Sequence, residues 1–128
     1  MVDQELVVLV DDDESVRESV PDLLRQWGYQ AMAFPSAAAF LSWDEPSRAA
    51  CLILDIAMPG MTGVELYREL VRRGQAAPTI FITAHADVTD RALLLQEGAI
   101  DCLFKPFSEH DLLAVVAAAA QRKSRHHP

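Results

Sequence analysis

Apolar runs of strand length alternate along this chain with stretches of helical period. Leu6-Val7-Val8-Leu9-Val10 is continuous and rich in β-branched residues, the mark of a strand covered on both faces. Val16, Val20, Leu23, Leu24 and Trp27 then recur at helical spacing, and Gly28 ends that helix. Residues 29–34 read as a second strand, and Ser36 caps a short helix that ends at Leu41. Residues 50–55 form a third strand, followed by the turn residues Pro59, Gly60 and Gly63. A helix is expected over 64–72, closed by Gly74, and a fourth strand over 79–83. Asp87 can cap a helix that reaches Gln96 before Gly98. Residues 102–104 make a short fifth strand, and Ser108 caps a last helix running through the alanines. Residues 44–48 read as a loop and 121–128 as a polar, basic tail. Pro21, inside the first helix, removes one hydrogen bond and crowds the Arg17 carbonyl, so a kink is expected there.

Five βα units with short connections predict an α/β fold, a (βα)5 doubly wound, five-stranded parallel sheet with helices on both faces. Right-handed crossovers limit the topology, and the flavodoxin-like strand order 2-1-3-4-5 is the expectation. At 128 residues there is room for one domain, placed at 1–122 with a tail at 123–128. The chain is 51% hydrophobic, enough for one core at this length, but its longest apolar run, 114–120, is too short to span a bilayer. The acidic start, Met1-Val2-Asp3-Gln4-Glu5, is unlike a secretory signal, and a cytoplasmic location is expected. Cys51 and Cys102 lie in apolar strand-like runs and read as buried thiols of a reducing compartment. A net charge of -8 argues against direct binding of nucleic acid or anionic membrane by this segment.

In such a sheet, ligands bind beyond the carboxyl ends of the strands, near the switch in strand order. The residues at those ends are Asp11 and Asp12, Asp55, Thr83 and Lys105. Each ends an otherwise greasy strand, so three carboxylates, a hydroxyl and an ammonium converge from distant parts of the sequence. Crowded carboxylates resist ionisation unless a cation offsets them. All-oxygen ligands suit a hard divalent ion, and Mg²⁺ takes few carboxylates, keeps waters and leaves room for a phosphate oxygen. No Cys/His cluster has zinc spacing, and His126 and His127 read as a solvated end. The pattern therefore points to Mg²⁺ beside a nucleophilic carboxylate, with Mn²⁺ as the alternative ion and Lys105 and Thr83 set to meet phosphoryl oxygens.

Val10-Asp11-Asp12-Asp13, the stretch from Asp55 through Pro59-Gly60 to Gly63, Ile82-Thr83-Ala84 and Lys105-Pro106-Phe107 together resemble the signature of response regulator receiver domains. The likeness covers nearly the whole chain. It is nearest to receivers of the FixJ type, through Val10 to Arg17 and Phe81-Ile82-Thr83-Ala84-His85-Ala86-Asp87. The resemblance implies that Asp55 is the phosphoacceptor and that Asp12, Asp55 and the Ala57 backbone carbonyl ligate Mg²⁺, with Asp11 acting largely through water. It implies that Thr83 and Lys105 bind the phosphoryl group, that the Lys105-Pro106 bond is cis, and that a sensor histidine kinase is the donor. Ala57 and His85 stand where family members orient the hydrolytic water; only His85 can do so, and a long-lived aspartyl-phosphate is expected. Three residues before the lysine, many receivers carry Tyr or Phe as a switch, whereas this chain has Cys102. Phe104 is expected on the opposite face from Cys102 and so cannot replace that aromatic.

The chain thus reads as a phosphorylation-operated switch rather than a metabolic enzyme. The FixJ likeness suggests a transcriptional regulator whose effector domain lies outside this chain, and a stand-alone receiver in a phosphorelay is the alternative. A flavodoxin-like nucleotide or flavin binder would want an anion-binding loop after the first strand, where this chain has three aspartates. A haloacid-dehalogenase-like hydrolase would carry its nucleophile after the first strand, under a cap. Leu93, Leu94 and Leu95 cannot all face a core, since three neighbours span about two hundred degrees of helix. With Phe104 on the short edge strand they suggest that the surface of helix four, strand five and helix five is an output face through which phosphorylation promotes a homodimer.

Overall fold

The computed structural model describes residues 5–84 and 88–125. The elements follow in the order β1 (Leu6–Val10), α1 (Glu14–Gln26), β2 (Gln30–Phe34), α2 (Ala37–Leu41), a 3-10 turn (Pro46–Arg48), β3 (Ala49–Asp55), α3 (Gly63–Arg72), β4 (Thr79–Thr83), α4 (Val88–Gln96), β5 (Asp101–Phe104) and α5 (Glu109–Arg125). All strand pairings are parallel, and the sheet has the order β2-β1-β3-β4-β5. This is the expected doubly wound arrangement.

Period-two alternation divides the strand side chains between two apolar layers. Val8, Val10, Leu52, Leu54 and Phe81 pack with Phe40 of α2, Leu66 and Leu70 of α3 and Leu94 of α4. Val7, Leu9, Ile53, Ile80 and Ile82 pack with Val20 and Leu24 of α1 and Leu112 and Val116 of α5. The central strands β1, β3 and β4 are buried along their whole length, which is why they read as unbroken apolar runs. Cys51 and Cys102 are free thiols, as expected, and lie in different layers with the sheet between them. No helix among the described residues is long and apolar enough to cross a membrane.

Local signals account for most helix starts. The Asp13 side chain accepts from the Ser15 N–H, the Ser36 hydroxyl from the Ala39 N–H and the Ser108 hydroxyl from the Asp111 N–H. Thr62 and Glu65 form a reciprocal capping box at α3, legible in the sequence as Thr62-Gly63-Val64-Glu65. The Asp87 cap lies outside the described residues. Helix α1 runs uninterrupted across the buried Pro21. Helix α5 continues to Arg125, three residues past the boundary drawn at 122.

Two expectations about the output face need correction. Leu94 is core, only 2% exposed, because α4 turns that side chain onto the sheet; Leu93 is 47% exposed and Leu95 half-buried. Leu94 packs on the α3 side, in the layer opposite α5. Phe104 lies on the same face as Cys102, since residues two apart along a strand share a face; both contribute to the α2-α3-α4 layer, and Leu103 goes to the other.

Candidate functional site

The carboxyl ends of β1, β3, β4 and β5 gather the polar residues that interrupt the apolar runs. Asp11 is fully buried, Asp55 and Thr83 nearly so, and Asp12 is exposed. One oxygen each of Asp11, Asp12 and Asp55 lie within 4.8 Å of one another. Lys105 Nζ donates to Asp11 Oδ2 at 3.0 Å and lies 3.8 Å from Asp55 Oδ2. This ammonium thus bridges two of the three carboxylates.

Main-chain bonds set the spacing. The Ile56 N–H donates to the Ile82 carbonyl, continuing the β3-β4 ladder past Asp55, and the Lys105 N–H donates to the Thr83 carbonyl at 2.7 Å. Thr83 is one residue beyond Ile82, the register partner of Asp55, so its hydroxyl belongs to the neighbouring strand end. The Lys105-Pro106 bond is cis, as the resemblance implied. Ala57 enters the site through its N–H, 3.3 Å from Asp55 Oδ1. His85 lies outside the described residues. Cys102, at the switch position, is buried beside Phe81 in the sheet.

Asp11 uses every polar group it has. Its N–H donates to the Phe34 carbonyl and its carbonyl accepts from Arg17 Nη1 at 3.0 Å. Its Oδ1 accepts from the Asp13 N–H and its Oδ2 from Lys105. The sequence reading gave Arg17 no role. Its signal was the position one turn into α1, where side chains tilt toward the helix N-terminus and reach back over the preceding loop. Gly63, read as a turn residue, is the buried first residue of α3, and its N–H donates to the Ile56 carbonyl.

Burial raises the Asp55 carboxyl from 3.8 to about 7, the charge of Asp11 adds to the rise, and Lys105 pulls against it. Between those values the folded protein keeps a proton that the unfolded chain has lost. The group therefore favours folding at low pH, and that contribution drains away as pH rises through about 7. Without divalent metal, the melting temperature should fall between roughly pH 4 and pH 7 and level off above, and the slope should flatten in Asp55→Asn. Equal slopes in the two proteins would place the titration elsewhere.

Comparison with known proteins agrees with this geometry. The family described as "Response regulator receiver domain" matches residues 7–117. The chain is 42% identical over 120 residues to the response regulator protein TmoT of Ectopseudomonas mendocina, covering 93% of this chain and 54% of TmoT. It is 39% identical over 118 residues to the transcriptional regulatory protein FixJ of Azorhizobium caulinodans, covering 92% and 56%. The solved structure of the response regulator StyR superimposes with a TM-score of 0.89 at 39% identity, over 96% of this chain and 62% of StyR. The chain spans about half the length of the curated relatives it matches.

Proposed function

The chain belongs to the response regulator receiver family of two-component systems, and we propose that Asp55 accepts a phosphoryl group from a sensor histidine kinase in a Mg²⁺-dependent reaction. One observation carries this reading: a buried carboxylate at a central strand end, with an ammonium 3.8 Å away and two more carboxylates in reach. An Asp55 oxygen attacks phosphorus, the bond to the donor nitrogen breaks, and its electron pair leaves with the donor. Lys105 bridges Asp11 and Asp55 beforehand, so a short swing of its ammonium meets a phosphoryl oxygen. The Thr83 hydroxyl is the second donor, from the next strand.

The hard oxygens clustered from Asp11, Asp12 and Asp55 fit magnesium; on this reading Asp12, Asp55 and the Ala57 carbonyl would hold the ion, with Asp11 acting through water, and Mn²⁺ would meet the same ligands. The bound ion would offset charge on the phosphoryl oxygens and carboxylates. Mass spectrometry after incubation with acetyl phosphate and Mg²⁺ should find one phosphoryl adduct per chain, stable in acid and lost in base. No adduct under those conditions would overturn the reading.

Mg²⁺ alone should raise the melting temperature with concentration, because a ligand of the folded state stabilises it by mass action. The rise should shrink sharply in Asp12→Ala, whose exposed carboxylate contributes one of the clustered oxygens. An equal rise in both proteins would put the ion elsewhere.

The domain's only chemistry on this reading is the gain and loss of its own phosphoryl group, in the cytoplasm. The name and extra length of FixJ support an output to transcription through a further domain. Phosphorylation would promote self-association through the α4-β5-α5 face, where Leu93 is an exposed large apolar residue and Phe104 is half-buried. Sedimentation velocity with beryllofluoride should show a dimer that Leu93→Glu weakens. A monomer throughout would refute the dimer.

A further inference from the structure

We infer that Arg17 is a positioning residue of the metal site, gripping the peptide that joins Asp11 to Asp12. The inference rests on the proposed reading of Asp12 and Asp55 as Mg²⁺ ligands. Arg17 Nη1 donates to the Asp11 carbonyl at 3.0 Å, while the Arg17 main-chain N–H donates to the Asp13 carbonyl at 3.1 Å. One residue thus holds the β1-α1 junction at the carbonyls of Asp11 and Asp13, the two neighbours of Asp12.

The carbonyl of Asp11 and the N–H of Asp12 belong to a single planar peptide. Fixing that oxygen therefore fixes the N–Cα bond of Asp12, the bond about which its side chain can still turn. Asp11 does not need the help: its carboxylate is held by Lys105 and the Asp13 N–H and is fully buried. Asp12 is exposed, so burial does not orient it. Partners that orient metal ligands without touching the ion commonly change metal affinity when removed.

Charge adds to the geometry. Asp11, Asp12 and Asp55 bring three negative charges to the cluster, against the single positive charge of Lys105. Arg17 is a second cation at the junction, and this hydrogen bond goes to a main-chain carbonyl rather than to a carboxylate oxygen that Mg²⁺ would use.

Arg17→Met keeps an apolar stem and helix propensity but removes the donor, and Arg17→Lys restores a donor able to reach one carbonyl. Calorimetric titration with MgCl₂ alone should give about tenfold weaker binding in Arg17→Met. The Mg²⁺ concentration for half-maximal labelling by acetyl phosphate should rise by the same factor, while the labelling rate at saturating Mg²⁺ stays near wild type. Arg17→Lys should recover a large part of the affinity. Unchanged Mg²⁺ affinity in Arg17→Met would overturn the inference. A lower saturated rate with intact Mg²⁺ binding would also overturn it, assigning Arg17 to the phosphoryl donor. Wild-type protein that neither binds Mg²⁺ nor takes up phosphoryl would instead defeat the underlying reading.

Discussion

Asp55→Asn is expected to abolish the phosphoryl adduct, lowering the rate of labelling by at least about a thousandfold, while the protein stays folded. The amide nearly matches the carboxylate in shape but has no anionic oxygen with which to attack phosphorus. No neighbour is placed as Asp55 is, buried at the end of a central strand with the Lys105 ammonium 3.8 Å away. Asp11 is fully buried and tied to Lys105 and the Asp13 N–H, and Asp12 is an exposed residue at the end of β1. Lys105 keeps its 3.0 Å bond to Asp11 in the variant, so its ammonium is not left unpaired. Near neutral pH the variant should melt above the metal-free wild type, since burial and Asp11 both oppose ionised Asp55. Intact-mass spectrometry and a thermal melt test both halves. Labelling at the wild-type level would mean that another residue is the acceptor.

Gly63→Ala should be the most damaging single-methyl change in the domain. The first residue of α3 lies against the end of β3, so closely that an added Cβ would overlap the Asp55 carbonyl oxygen and sit 2.8 Å from its carbon. These are backbone atoms of a buried strand, anchored on both sides by the β1 and β4 ladders, and they cannot rotate away as a side chain could. The helix is pinned too, by the Thr62-Glu65 capping box and by the bond from the Gly63 N–H to the Ile56 carbonyl. Relief requires moving α3 off the sheet or twisting Asp55, the proposed nucleophile. A loss of about 3 kcal/mol or more is expected, at the upper end for overpacking. Urea denaturation should show a lower midpoint, and labelling of Asp55 should slow even in the folded fraction. A midpoint equal to wild type would mean that α3 does not approach Asp55 so closely.

The fold and most of the candidate site are legible in the linear pattern, for a common physical reason. Strands covered on both faces must be apolar throughout, so the first polar residue after such a run marks a strand end. Asp11, Asp55 and Thr83 stand out in this way, Lys105 follows the short edge strand β5, and a parallel sheet brings its carboxyl ends to one edge. Helix starts are legible because one side chain satisfies a nearby N–H, as Ser36 and Ser108 do. The face of Phe104 is legible too: residues two apart along a strand share a face, so Phe104 goes with Cys102.

Other features depended on the third dimension. Three successive leucines give α4 no single apolar stripe, and only its docking on the sheet decides that Leu94 is buried and Leu93 exposed. The raised proton affinity of Asp55 comes from burial and from Asp11, forty-four residues away in the chain but adjacent in space. The grip of Arg17 on the Asp11 carbonyl and the contact of Gly63 with Asp55 are likewise set by how a helix meets a strand end. Hydrophobic period and local capping are properties of short segments, so the sequence alone determines the elements and their order. Burial, charge coupling and close backbone approach depend on distances between segments, and those distances exist only once the layers have packed.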